Sequence, residues 1–127
     1  MIRVIYCMRR KPDMSHEAFL HHWRHVHAPM VLANQAALRI CAYTQRVPLT
    51  NEFSARIERP GRALDRFDGV AELCWDTEAA FREALSSPEA VAAQRALAAD
   101  EANFIDVGAS ARWVCHADTL HDGSASA

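Results

Sequence analysis

The segment Trp23-Arg24-His25-Val26-His27-Ala28-Pro29 holds the side chains of this sequence best suited to chemistry. It continues an apolar-periodic stretch that starts near residue 16. With Phe19 at zero and roughly 100° per residue, Val26 falls at about 340°, Met30 at about 20°, Trp23 at about 40° and Leu20 at about 100°. These residues form one apolar stripe. His27, at about 80°, lies inside it, whereas His21, His22 and His25 lie outside or at its margin. A sheltered imidazole needs a hydrogen-bond partner. In a cavity between helix and sheet it can act as a general acid or base. The same position suits a structural histidine that locks the bend expected at Pro29, and the residues alone leave both roles open.

Other polar residues stand in strand-like segments and are candidates to line the same cavity beside Trp23: Tyr6, Tyr43, Gln45 and Glu72. For the tyrosines, core packing with a satisfied hydroxyl is the alternative. Glu72 interrupts an apolar strand, so it belongs either at the sheet margin or against a histidine or arginine. His116, near the chain end, is expected to be exposed. His21 and His25 are four apart, as metal-binding pairs can be, but no His-Glu-x-x-His pattern is present and both lie on the outer side. No metal and no cofactor is expected. A Gly-rich phosphate loop, a dinucleotide fingerprint and a Gly-x-Ser-x-Gly elbow are all absent from the sequence.

The elements that must position these groups follow from periodicity and breakers. Residues 2–9 alternate as a strand does, and Arg10-Lys11-Pro12-Asp13 ends it. Ser15 is a helix cap and Glu17 sits in the first turn. Pro29 lacks a donor, so the helix is expected to kink or restart there, with a short helical piece over 31–37. Residues 38–47 read as a second strand. The stretch 48–66 shows no clear period and is long for a loop, a type often functional or mobile. Residues 68–75 form a third strand, Asp76 or Thr77 caps the next helix, and Pro88 opens an alanine-rich helix to about Asn103. Residues 109–117 make a fourth strand. The order β-α-β-β-α-β is an α+β, ferredoxin-like split βαβ fold with an antiparallel four-stranded sheet. Residues 1–118 read as a single domain and 119–127 as a disordered tail. Both sheet faces carry apolar residues: Ile2, Val4, Tyr6 and Met8 on one, Ile5 and Cys7 on the other. A homodimer that covers the open face is therefore expected.

The 127 residues carry a net charge of -2, which argues against nucleic acid and anionic membranes as partners. No apolar run approaches a membrane span, and the N-terminal segment lacks the core of a signal peptide, so a cytoplasmic location is expected. Cys7, Cys41, Cys74 and Cys115 form no CxxC pair and fall one to each expected strand. Strands about 4.8 Å apart cannot bring four thiolates to one zinc ion.

Several of these residues also carry a family resemblance. Val4-Ile5-Tyr6, Arg10-Lys11-Pro12, Ser15, Glu17, Phe19, Trp23 and His27-Ala28-Pro29 resemble the EthD domain proteins of the dimeric α+β barrel superfamily. Asp100-Glu101 followed by Phe104 and Asp106 resembles the acidic, aromatic close of that family's last helix. The resemblance covers most of residues 2–116. It implies a ferredoxin-like protomer, a homodimer whose sheets face each other, and a pocket for a small organic ligand. It places His27 as the catalytic candidate, while Asp106 is as well suited to ending the helix or pairing with an arginine. The family is named for a locus that degrades an alkyl ether alongside an oxygenase system, and related sequences resemble dehydratases and cyclases of aromatic polyketides. The implied function is action on small apolar cyclic or aromatic compounds by proton-transfer dehydration, cyclisation or isomerisation. Two alternatives stand beside it: a non-catalytic accessory subunit of an oxygenase or oxidoreductase system, and a haem-handling protein or cofactor-free monooxygenase. Fold membership does not choose among them.

Overall fold

Strand β1 (Ile2–Met8) takes the centre of the sheet because it pairs on both edges. In the computed structural model, which describes residues 1–59 and 66–123, the sheet order is β2-β3-β1-β4, with β2 at Ala42–Arg46, β3 at Gly69–Trp75 and β4 at Ala111–His116. Every pairing is antiparallel; Tyr6 faces Ala71 on one side and Arg112 on the other. The antiparallel α+β arrangement is the one the sequence pattern predicts.

Six α-helices complete the described residues: α1 (His16–His22), α2 (Ala28–Ala33), α3 (Gln35–Leu38), α4 (Glu52–Ile57), α5 (Glu78–Ser86) and α6 (Pro88–Glu101). Side chains alternate across a strand, so Val4, Tyr6 and Met8 of β1 point to one face and are all buried. Two apolar clusters cover that face. One gathers Val4, Val31, Leu38, Trp75, Ala84, Ala90 and Leu97. The other gathers Tyr6, Met8, Phe19, Trp23, Ala71 and Phe104. Arg3, Ile5 and Cys7 belong to the opposite face.

Local chemistry sets the helix ends. Ser15, Thr77 and Ser87 each accept a backbone N–H from the first turn of α1, α5 and α6, and Pro88 opens α6 at a position where its missing N–H is not needed. The structure differs from the sequence reading in two segments. Strand β2 starts at Ala42 rather than 38, because α3 continues through Leu38 and Arg39 closes it in a left-handed conformation, φ 56°. Leu38 is buried, and its carbonyl accepts the Trp75 indole N–H at 2.7 Å. Part of the expected 48–66 loop is α4, whose start is fixed by a reciprocal capping box between Asn51 and Ser54. Residues 60–65 of that stretch, and residues 124–127 of the expected disordered tail, lie outside the described residues. Cys41 precedes β2 by one residue but bonds the Cys74 carbonyl through its N–H at 2.9 Å; all four cysteines are free thiols. Among the described residues no helix is long and apolar enough to cross a membrane.

Gly69 opens β3 directly under Trp23. A Cβ there would lie 2.6 Å from Cζ3 and 2.9 Å from Cη2 of an indole that is itself fully buried. Gly69→Ala is therefore expected to lower stability by about 1–3 kcal/mol, the usual cost of overpacking. Urea unfolding checks this, and an unchanged midpoint would show that the indole can yield.

Candidate functional site

Phe19, Trp23 and His27 are spaced four residues apart, and all three are buried. In a regular α-helix such a series drifts by about 40° per step. A π-helical turn over Trp23–His27 removes the drift: the Ala28 N–H reaches back five residues to the Trp23 carbonyl. Pro29, at the start of α2, cannot donate and so does not oppose the wider turn. The expected disruption at Pro29 is thus a π-turn just before it. The extra residue also explains one error of the helical wheel. Val26, placed in the apolar stripe by regular periodicity, is 42% exposed. Gln45 supports the turn from β2; its Nε2 donates to the Trp23 carbonyl at 3.0 Å and to the Tyr43 hydroxyl at 2.9 Å.

Behind His27 stands Asp100, on α6. Ala93, Leu97 and Asp100 recur at helical spacing along the buried side of that helix. Asp100 Oδ2 lies 2.8 Å from His27 Nδ1, and Oδ1 lies 2.9 Å from His22 Nε2. Asn103 Nδ2 adds a longer contact to Oδ1 at 3.3 Å. Burial pushes the Asp100 carboxyl up, but the hydrogen bonds from His27, His22 and Asn103 outweigh it and hold its pKa below the usual carboxylate range. An ionised carboxylate only accepts, so both imidazole nitrogens facing it must carry protons. In the neutral His27 ring that leaves the lone pair on Nε2. The Phe104 ring, fully buried, packs against both imidazoles, with centroids 4.7 Å from His22 and 5.1 Å from His27.

His27 lines a cavity of about 350 Å³ between the helices and the sheet. Its walls are mainly apolar, from Val4, Met8, Val31, Leu73, Trp75 and Leu97, and Trp23, Tyr6 and Tyr43 line it as well. Burial raises both phenol pKa values, so the tyrosines remain neutral donors. The same space is bordered by Gln94, Glu101 and Arg112. Gln94 donates to the Ala84 carbonyl. Trp23, Tyr6, Tyr43 and His27 of the expected site are therefore brought together. Gln45 does not line the cavity but supports Trp23 and Tyr43, which do.

Glu72 does not belong to this cavity. It lies on the opposite sheet face, pairing in register with Ile5 and Thr44. Arg46 and Arg3 hold it at 2.7 and 2.6 Å and keep its pKa low. Both carboxylate oxygens are taken by guanidiniums, so the expected ligand role gives way to an ion-paired one. His21 and His25 lie on the outside with their rings tilted at 43° and centroids 4.8 Å apart, and His116 pairs with Asp118 at 3.3 Å at the surface. Among the described residues no group of three metal-ligating side chains is assembled. Asp106 uses its backbone to pair with Arg9 and to accept from Ser110. Sequence reasoning missed Asp100 and His22 as the partners of the site. The available signal was a carboxylate at i+3 from Leu97 on an otherwise alanine- and leucine-lined helix face.

The EthD domain model matches residues 11–108, more than three quarters of the chain, and this span carries α1, the π-turn, β3 and Asp100. The chain belongs to the EthD domain family. This EthD domain is similar in structure to an EthD family protein of Bacillus halodurans, at TM-score 0.61 and 14% identity, covering 93% of this chain and 99% of the other. It is also similar to an EthD-like protein of Ralstonia eutropha JMP134, at TM-score 0.58 and 16% identity, covering 94% and 95%. A third similar structure is a dimeric protein of unknown function with a ferredoxin-like fold from Bacteroides fragilis, at TM-score 0.55 and 15% identity, covering 90% and 93%. These likenesses extend to the fold. No match is found among curated proteins.

The Asp100 geometry carries a pH signature. Its folded pKa is depressed, so its stabilisation is complete above the ordinary carboxyl value of about 3.9 and is lost as pH falls through the folded value. Asp100→Asn is expected to cost about 1–3 kcal/mol at pH 7, because an amide cannot accept from both rings as a carboxylate does. Urea unfolding across pH checks this: the gap between the two proteins should narrow below about pH 3.9. A gap independent of pH would contradict the assignment.

Proposed function

We propose that this EthD domain binds a small, largely apolar cyclic or aromatic compound in the cavity, and that His27 moves a proton on it in a dehydration, cyclisation or isomerisation. The observation that carries the reading is an imidazole oriented from behind by a buried carboxylate, with its Nδ1 committed and its ring on an apolar hollow. Asp100 fixes the ring and stabilises the imidazolium that forms when Nε2 takes a proton, as a carboxylate does behind any general-base histidine. The size supports a small ligand, since pockets for such molecules begin at about 300 Å³. The apolar walls favour a ring system over a sugar or nucleotide. Tyr43, held by Gln45, is placed to orient a ligand oxygen.

The test is His27→Gln, assayed with a compound that the wild type converts. The far-ultraviolet circular dichroism spectrum should be unchanged, and kcat should fall by about 10²–10⁴-fold. Wild-type turnover in the folded variant would remove His27 from catalysis.

We further infer that the protein works as a homodimer joined through the open sheet face. That face presents Ile5, Cys7, Val70 and Trp113, the last 56% exposed, around the Arg3–Glu72–Arg46 ion cluster. An apolar sheet face without a cover is a liability in water. The dimeric state of the similar Bacteroides fragilis protein supports a second copy as the cover. Sedimentation should give a dimer at micromolar concentration, and Trp113→Asp should give a folded monomer. A monomeric wild type at high concentration would overturn the assembly.

A further inference from the structure

The C-terminal end of α6 carries two adjacent carboxylates that turn to different partners. Asp100 meets the two histidines. Glu101 borders the cavity, and its Oε2 accepts from Arg112 Nη2 at 3.2 Å. Arg112 stands on β4 directly opposite Tyr6 of β1, with its guanidinium 4.2 Å from the centroid of the phenol ring. Tyr6, Glu101 and Arg112 all line the same cavity as His27. They form a second polar cluster there, which the histidine–carboxylate pair does not use.

The charge of this cluster sums to zero. A carboxylate answers a guanidinium, and burial together with the nearby Glu101 charge keeps the Tyr6 phenol neutral. The chemistry of the three groups then limits what can sit among them. An incoming oxygen can accept from Arg112 or from the Tyr6 hydroxyl. Its neighbour Glu101 offers only lone pairs, so the incoming group must also bring a proton or stand clear. A neutral hydroxyl does both, accepting from Arg112 and donating to Glu101. A carboxylate would place a second negative charge beside Glu101, whose side chain is 18% exposed, and that repulsion would oppose its binding. An unsubstituted hydrocarbon would satisfy neither polar group and would strip both of water.

We infer that Tyr6, Glu101 and Arg112 are specificity residues that select a neutral hydroxylated ring compound, a phenol, enol or cyclic alcohol, over the corresponding carboxylic acid or bare ring. The inference rests on the cavity being the ligand site, as proposed above. It adds a polar group that the ligand must carry, and it names residues that the proton-transfer role of His27 does not require.

Calorimetric titration of the full chain tests it, with 2-naphthol, 2-naphthoate and naphthalene as probes. The wild type should bind 2-naphthol at least about tenfold more tightly than either of the others. Glu101→Gln removes the repelling charge and leaves Arg112 available, so 2-naphthoate should gain about tenfold and the preference should collapse. Arg112→Gln should weaken 2-naphthol without helping 2-naphthoate. Equal wild-type affinity for the alcohol and the acid overturns the inference, as does a ratio unmoved by Glu101→Gln. Ala98→Trp, at the exposed mouth beside Glu101, separates the two levels. If the three probes bind alike and Ala98→Trp blocks them all, the cavity stands as the ligand site and the selecting cluster fails. If no probe binds, both fail.

Discussion

A carboxylate buried in the face of a packed helix is stable only when donors surround it, and Asp100 is such a group. Two imidazoles and an amide converge on it, and their hydrogen bonds overcome the penalty of burial. Much of the surrounding architecture follows from that requirement. The two imidazoles come from neighbouring parts of one helical run, five residues apart, and both must reach the same carboxylate. The π-turn between Trp23 and His27 keeps the buried side chains on one face while it does so. Phe104, just past the end of α6, fills the space against both rings and leaves water little room at the contact.

The sheet divides the chemistry between its faces. Tyr6 and Arg112 on adjacent strands turn toward the helices and the cavity, while Ile5, Glu72 and Trp113 turn away. Strand alternation makes this division strict, because a one-residue step moves a side chain from one face to the other. Two arginines hold Glu72 on the far face, so its charge is neutralised locally and does not act on the cavity. The adjacent residues Asp100 and Glu101 make a comparable split on a helix, about 100° apart, one toward the histidines and the other toward β4.

The layout of strands and main helices was legible because it rests on strong local signals. Alternation marked β1, cap residues marked α1 and α5, and proline marked both the start of α6 and the disruption after Trp23. The burial of His27 was legible for the same reason. Three features were not. The form of the helix disruption was missed, because regular periodicity carries no allowance for an inserted residue, and Val26 was misplaced with it. The start of β2 was missed because Arg39 adopts a left-handed conformation that an arginine does not advertise. The partnership of His27 with Asp100 spans 73 residues and depends on how α6 packs, which no local pattern contains. An acidic residue on an apolar helix face shows that a partner is needed, without showing which one.

The tautomer of His27 is the most direct measure of the central interaction. Long-range proton–nitrogen correlation spectra of the protein labelled with nitrogen-15 distinguish the two ring nitrogens of each histidine. In the neutral ring, Nδ1 of His27 should carry the proton and Nε2 should show the shift of an unprotonated, pyridine-type nitrogen. A proton on Nε2 alone, or the averaged shifts of a freely exchanging ring, would contradict the account.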